Sequence, residues 1–202
     1  MTPDHHIVRI AGEDTRLPIV PLNDSIAIAL LMVIDMGVAF GTRVGRALAE
    51  ATTALAPEIV VGAATLGIPV AIEVSRALGL DDYVILQKSP KIHLKDALRE
   101  TVTSVTSSGA QSLMLDRRSV PMLAGRRALV VDDVVTTGSS LSAMLRLVRQ
   151  AGAEVVGIGV ILTEGHDWEA RLGADVGLVR ALGHIPVYRI VDGRAEVIPE
   201  TV

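Results

Sequence analysis

The sequence contains no cysteine. That excludes a disulfide framework, a thiolate zinc site, an iron–sulfur cluster and a cysteine nucleophile. Aromatic residues are almost as scarce, at 2%: Phe40, Tyr83, Trp168 and Tyr188. A single-strand nucleic-acid binder built on stacked bases needs more of them. Basic charge is not in excess. A net charge of −4 and a pI near 5.7 argue against a dedicated duplex-binding domain. The longest apolar run, Ile26 to Ile34, is stopped by Asp35. A membrane-spanning helix needs roughly 20 such residues. Met1 to Ile10 carries Asp4, His5, His6 and Arg9 and has no apolar signal core. The expectation is a cytoplasmic protein with no membrane or nucleic-acid partner.

What is present is apolar and periodic. Half of the 202 residues are hydrophobic. A chain of this length can bury roughly 70% of its unfolded surface, so it needs no staple. It is expected to form one domain over 1–202. Short β-branched runs alternate with Ala/Leu-rich segments, which signals an α/β fold with a mostly parallel sheet flanked by helices. Ile7–Ile10 and Leu17–Val20 flank a Gly-Glu-Asp turn and suit a hairpin. Ile26–Ile34 fits either a strand or a helix, and Thr42–Leu55 reads as a helix. From residue 58 the pattern is regular. Ile59-Val60-Val61 is a buried strand, Pro69–Leu78 a helix stopped by Gly79, and Tyr83–Leu86 a second strand. Residues 88–109 are polar, with no clear apolar stripe. Gln111–Leu115 and Ala128–Val131 are further strands, Ser140–Gln150 a helix, and Val155–Leu162 another strand. In parallel sheets ligands bind beyond the carboxyl ends of the strands. The loops at 62–67, 88 onward, 132–140 and 163–168 are therefore the ones to inspect.

The segment that carries chemistry runs from Ala128 to Ser140. A buried strand leads into Asp132-Asp133, then Val134-Val135, then Thr136-Thr137-Gly138-Ser139-Ser140 and a helix. Backbone N–H groups at a helix N-terminus favour an anion. Gly138 lets the backbone curl close to a phosphate. The hydroxyls of Thr136, Thr137, Ser139 and Ser140 add donors. No lysine follows, so this is not a GxxxxGK loop. Carboxylates repel phosphate, so the paired acids need another partner. They can accept from ribose hydroxyls or hold a hydrated Mg²⁺. The segment predicts a site for a 5-phosphorylated ribose.

These residues resemble the phosphoribosyl pyrophosphate (PRPP) signature of the type I phosphoribosyltransferases. The resemblance covers roughly 59–162 well and the flanks less closely. It implies that fold, with a PRPP-binding core over 58–162 and a small hood built from 1–34 and 163–202. It implies transfer of a phosphoribosyl group from PRPP to a purine base, releasing pyrophosphate, with Mg²⁺ as cofactor. Asp132 and Asp133 would meet ribose and the metal's water shell. Val134 and Thr136–Ser140 would bind PRPP, Thr136–Ser140 by holding its 5-phosphate. Lys88 stands where the family has a basic residue on the diphosphate. Lys91, His93, Lys95 and Arg99 follow it in a segment similar to the family's flexible loop. Ala63, Ala64 and Thr65 lie in the place of the pyrophosphate loop. Adenine-type members carry Glu-Ala-Arg-Gly there, whereas this chain reads Ala64-Thr65-Leu66-Gly67 and lacks the arginine.

The base side is implied in the same way. Gly157–Gly165 resembles the strand and base-side loop of the adenine- and xanthine-type enzymes. Xanthine-type members have a lysine where this chain has Glu164. A glutamate accepts from an amine or ring N–H, so it favours an amino-purine such as adenine. Trp168 falls in the loop expected to cover the base. Either it or an aliphatic such as Leu22 or Ile161 would pack on the ring. Asn23, in a segment similar to the xanthine-type hood, is a further base-site candidate. His184 reads as structural. Family members are commonly dimers, and Ile26–Ile34 is a candidate interface. The alternative is a non-catalytic PRPP-binding regulator on the same fold. Such regulators carry a separate DNA-binding segment, and the residues before 58 do not read as a basic winged helix.

Overall fold

The computed structural model describes residues 4–90, 92–102 and 111–202. Its centre is a five-stranded parallel sheet in the order β10-β9-β8-β4-β5. The strands are β4 (Ile59–Ala63), β5 (Tyr83–Leu86), β8 (Arg127–Val135), β9 (Glu154–Glu164) and β10 (Val179–Ile185). Their period-2 alternation feeds two cores. Ile59, Val61, Val130, Ile158 and Val160 point to one face, and Val60, Leu129, Val131 and Ile161 to the other. The first face is covered by α4 (Ser139–Gln150), which buries Leu141, Met144, Leu145 and Val148 as a stripe. The second is covered by α1 (Gly37–Thr52), through Phe40, Val44 and Leu48, and by α2 (Gly67–Leu78), through Val70, Ala71 and Val74.

A second sheet is assembled from both ends of the chain, in the order β1-β2-β3-β11-β12. It comprises β1 (His5–Ile10), β2 (Glu13–Pro21), β3 (Ile26–Ala29), β11 (Val187–Val191) and β12 (Arg194–Val197). The expected first hairpin is present, with Ile10 opposite Glu13. Ala11 and Gly12 have φ of 48° and 85°, and Asp192 and Gly193 have 50° and 72°. Two successive left-handed residues match the twist of the strands they join. β3 pairs with β11 and stitches the N-terminal strands to the C-terminal ones.

Several expectations need correction. Ile26–Ile34 is neither one strand nor one helix. It is β3 followed by a 3₁₀ turn at Val33–Asp35. Ala27, Ala29, Leu31 and Val33 are buried within this chain, so only its last residue, Ile34, stands out as an exposed apolar surface. The next helix begins at Gly37 rather than Thr42, because glycines 37 and 41 dilute the apolar signal of its first turns. β7 (Gln111–Leu115) does not join the parallel sheet. It pairs antiparallel with β6 (Leu98–Val102) in a separate hairpin, tied to the end of β5 by a bridge between Gln87 and Met114. β10 falls in the stretch assigned to the hood, yet it is the edge strand of the parallel sheet. Among the described residues, no helix is long and apolar enough to cross a membrane.

His184 ties the two sheets together. Its Nε2 lies 2.8 Å from the Thr201 carbonyl, which can only accept, so Nε2 carries the proton. In the neutral ring Nδ1 then accepts from the Thr163 hydroxyl at 2.8 Å. The structural reading of His184 agrees with this placement.

α1 and α2 approach closely. A Cβ at Gly45 would lie 2.5 Å from Glu73 Cβ and 2.7 Å from its backbone carbon, whereas one at Gly41 would meet only Glu73 Cγ at 3.7 Å. We expect Gly45→Ala to destabilise the fold by about 1–3 kcal/mol through overpacking. Gly41→Ala should stabilise it by about 0.5–1 kcal/mol through helix propensity. Urea unfolding midpoints of the two variants test the contrast.

Candidate active site

Parallel strands end at the same edge of their sheet, so the loops after β4, β5, β8 and β9 converge. Lys88, from the loop after β5, lines one cleft there together with all residues from Asp132 to Leu141. The cleft thus brings together Lys88, Asp132, Asp133, Val134, Thr136, Thr137, Gly138, Ser139 and Ser140, nine of the residues singled out in the sequence. β8 runs further than its apolar core suggested. It continues through both acids to Val135, because Asp132 pairs with Val160, Val134 with Leu162 and Val135 with Thr163.

The two acids differ in setting. Asp132 is buried, and its Oδ1 accepts from the Asp133 backbone N–H at 3.1 Å. A Cβ on Gly67 would lie 3.1 Å from that oxygen, so glycine at the start of α2 leaves the carboxyl its space. Burial pushes the Asp132 carboxyl up to about 8; Asp133 adds to the rise and the Lys88 ammonium opposes it. Among the described residues, no group of three or more His, Cys, Asp or Glu could cage a metal ion. Two adjacent carboxyls on an open cleft suit an ion that keeps several waters and takes substrate oxygens, the usual habit of Mg²⁺.

The loop between β8 and α4 is pinched from above. Gly138 has φ 71°, and a Cβ there would lie 3.2 Å from the Trp168 Cα, the Trp168 carbonyl oxygen and the Arg171 Cβ. α5 (Asp167–Leu172) therefore sits directly on the loop. Gly138, at the N-cap of α4, has no side chain to cap it, and the Ser139 N–H donates to Thr137 Oγ1 at 3.4 Å. Ser139 and Ser140 both line the cleft. The Thr137 hydroxyl donates to Ser139 Oγ at 3.1 Å.

Other sequence candidates are placed differently. Ala63, Ala64 and Thr65 are not among the residues lining that cleft. Ala63 is buried at the end of β4, and the Ala64 N–H already donates to the Leu86 carbonyl at 2.9 Å, so that amide is not free for a diphosphate. The peptide between Ala64 and Thr65 is cis. Glu164 is not in a loop. It is the last residue of β9, 4% exposed, and its Oε2 accepts from the Thr136 hydroxyl at 2.7 Å. Burial raises its pKa, and the Thr136 hydrogen bond opposes the rise. Its Oε1 is buried without a partner. Trp168 is not in a covering loop either. It belongs to α5, is 7% exposed, and its indole N–H donates to the Gly165 carbonyl at 3.0 Å. Ile161 is wholly buried in the core, which leaves Leu22, 54% exposed, of the three proposed base-packing residues. Asn23 makes a turn: its Oδ1 accepts from the N–H groups of Ser25 and Ile26 at 2.9 Å. Arg99 is bound into the hairpin, donating to Met114 Sδ and the Leu94 carbonyl. Lys91 lies outside the described residues. One position escaped the sequence reading, Arg171, which carries no motif because its role comes from α5 packing on the site; Gly67 was read as part of the loop after β4, without its approach to Asp132.

Comparison with known proteins agrees with this architecture. The phosphoribosyl transferase domain model matches residues 37–186, and the chain belongs to that family. It is 33% identical over 58% of its length to an orotate phosphoribosyltransferase of Caldanaerobacter subterraneus, covering 50% of that protein. It is 37% identical over 58% of its length to an adenine phosphoribosyltransferase of Rhodococcus opacus, covering 64% of it. It is 30% identical over 62% of its length to the purine biosynthesis transcriptional repressor PurR of Bacillus subtilis, covering 44% of it. The chain thus spans roughly half to two thirds of the length of these relatives. Among solved structures, an adenine phosphoribosyltransferase of Thermoanaerobacter pseudethanolicus superposes with a TM-score of 0.70 at 20% identity, over 82% of this chain and 94% of that one. The fold is therefore that of the type I phosphoribosyltransferases.

Two outcomes follow from the geometry. Gly138→Ala should lose about 1–3 kcal/mol of stability, from the left-handed backbone and the contact with α5; thermal melting measures it. Glu164 has a raised folded pKa against an ordinary value of 4.5, so its contribution to stability is complete below that value. It is lost as pH rises through the folded pKa. Glu164→Gln should therefore gain on the parent as pH increases from 4 to 8, read as a widening difference in urea midpoints.

Proposed function

We propose that this chain transfers the 5-phosphoribosyl group of PRPP to a purine base with release of pyrophosphate. One observation carries the proposal: two adjacent acids, a lysine and a glycine-pinched helix N-terminus line a single cleft. Thr137–Ser140 would hold the 5-phosphate through backbone amides and hydroxyls. Asp132 and Asp133 would accept from the ribose hydroxyls. Lys88 would oppose charge on the diphosphate. A Mg²⁺ ion held through water by Asp132 and Asp133 would supply further charge neutralisation on that leaving group. The ring nitrogen forms its bond to C1 as the bond from C1 to the diphosphate oxygen breaks, and the diphosphate leaves with the electron pair. The protein's part is alignment and electrostatics rather than covalent chemistry.

The purine preference, and within it an amino-purine such as adenine, is supported by the likeness to an adenine phosphoribosyltransferase; Glu164, the acid that suggested an amino-purine, is buried and does not line the cleft. A homodimer belongs to the same proposal, with Ile34 and Val38 exposed at the start of α1.

A second reading is a PRPP-responsive regulator without turnover. It is favoured by the engaged Ala64 amide, the absent loop arginine and the likeness to PurR. Incubation with PRPP, Mg²⁺ and a panel of adenine, hypoxanthine, guanine, xanthine and orotate separates the two. Pyrophosphate and nucleotide should appear with adenine in preference to orotate. PRPP binding with no product from any base would overturn transfer in favour of the regulator. Asp132→Asn with Asp133→Asn should abolish PRPP-dependent thermal stabilisation on either reading.

A further inference from the structure

The hydroxyl of Thr136 does not face the phosphate site as a free donor. It is spent on a buried acid. Thr136 is the first residue after β8, and its Oγ1 lies 2.7 Å from Glu164 Oε2 at the end of the adjacent strand β9. Glu164 is 4% exposed, and Thr136 is the partner that the structure gives its side chain. A hydroxyl has one proton to give. While it points at Glu164 it cannot point at a phosphate. The contact also joins two neighbouring strands at the point where the parallel ladder ends, since the last β8–β9 pair is Val135 with Thr163. It therefore continues the ladder by one side-chain bond into the phosphate loop.

The cost of this arrangement is visible. Burying a carboxyl is unfavourable, and Glu164 leaves its other oxygen without a partner. An alanine or valine at position 136 with a leucine at 164 would pack the same space without that cost. A structural filler does not explain the acid. An acceptor that fixes the first residue of the loop does.

We infer that Glu164 is a positioning residue for the phosphate loop: it acts through the Thr136 hydroxyl to preset the Thr137–Ser140 cradle, and Thr136 itself gives no side-chain bond to the phosphate. The inference rests on the reading of that cradle as the 5-phosphate site.

The test is a double-mutant cycle on PRPP affinity, measured by calorimetry with Mg²⁺ and without any base. Thr136→Val keeps the shape and removes the donor. Glu164→Leu removes the acceptor. Each should weaken PRPP binding by on the order of tenfold, the usual size for a hydrogen bond to a charged group. The double variant should be no weaker than either single one. Thr136→Ser, which restores a hydroxyl, and Glu164→Gln, which keeps an acceptor oxygen, should recover most of the loss. Additive losses would mean that the Thr136 hydroxyl meets the phosphate directly, and would overturn the inference. Unchanged affinity in both single variants would overturn it as well. Backbone amide NMR shifts of residues 137–140 in the ligand-free protein give a readout independent of PRPP. Thr136→Val and Glu164→Leu should move them in the same pattern, and shifts identical to the parent would refute the positioning role. If the parent binds no PRPP, the transfer reading fails while these shifts still decide the present one.

Discussion

Gly138 has no room for a side chain, and much of the site depends on that. Its left-handed backbone ends β8, turns the chain and starts α4 within three residues. α5 closes over it at van der Waals distance. The pinch holds the helix N-terminus, the two acids and the loop after β9 in fixed relation. β8 supplies the other half of the constraint. It is buried on both faces as far as Asp132, so the acids are anchored to the buried centre of the sheet. The proposed phosphate cradle and the carboxyl pair are chemically opposed, and a fixed turn would hold them adjacent.

The same rigidity separates what was legible in the sequence from what was not. The run from Ala128 to Ser140 announced itself because strand, acids, glycine and helix are consecutive, and local chemistry decides each step. The hairpin at Ala11-Gly12, the Gly79 stop and the stripe of α4 are local in the same sense. Glu164 and Trp168 were misplaced because their positions are decided by pairing. β9 continues to Glu164 since β8 and β10 both extend beside it, and a polar residue at a strand end looks like a loop residue. Likewise β7 carries an apolar pattern suited to a parallel sheet, yet its neighbour β6 claims it. Periodicity shows that a segment is a strand and not which strand it meets.

Arg171 shows a further limit. It stands in no motif and matters only because α5 brings it against Gly138. Gly67 was legible as part of the loop after β4, but not its approach to Asp132, whose Oδ1 would lie 3.1 Å from a Cβ there. No reading of α2 by itself contains that fact.

The scarcity of aromatics now has a structural meaning. All four are committed elsewhere. Phe40 is buried in α1 with the Arg43 guanidinium 5.3 Å above its ring. Tyr188 is buried and its hydroxyl lies 2.7 Å from His6 Nδ1. Trp168 is held in the core by its bond to Gly165, and Tyr83 opens a strand at the far end of the sheet from the cleft. None of them lines the cleft. On the proposed transfer, a base held in that cleft would find no aromatic ring to stack on, so its recognition would rest on contacts to its edge.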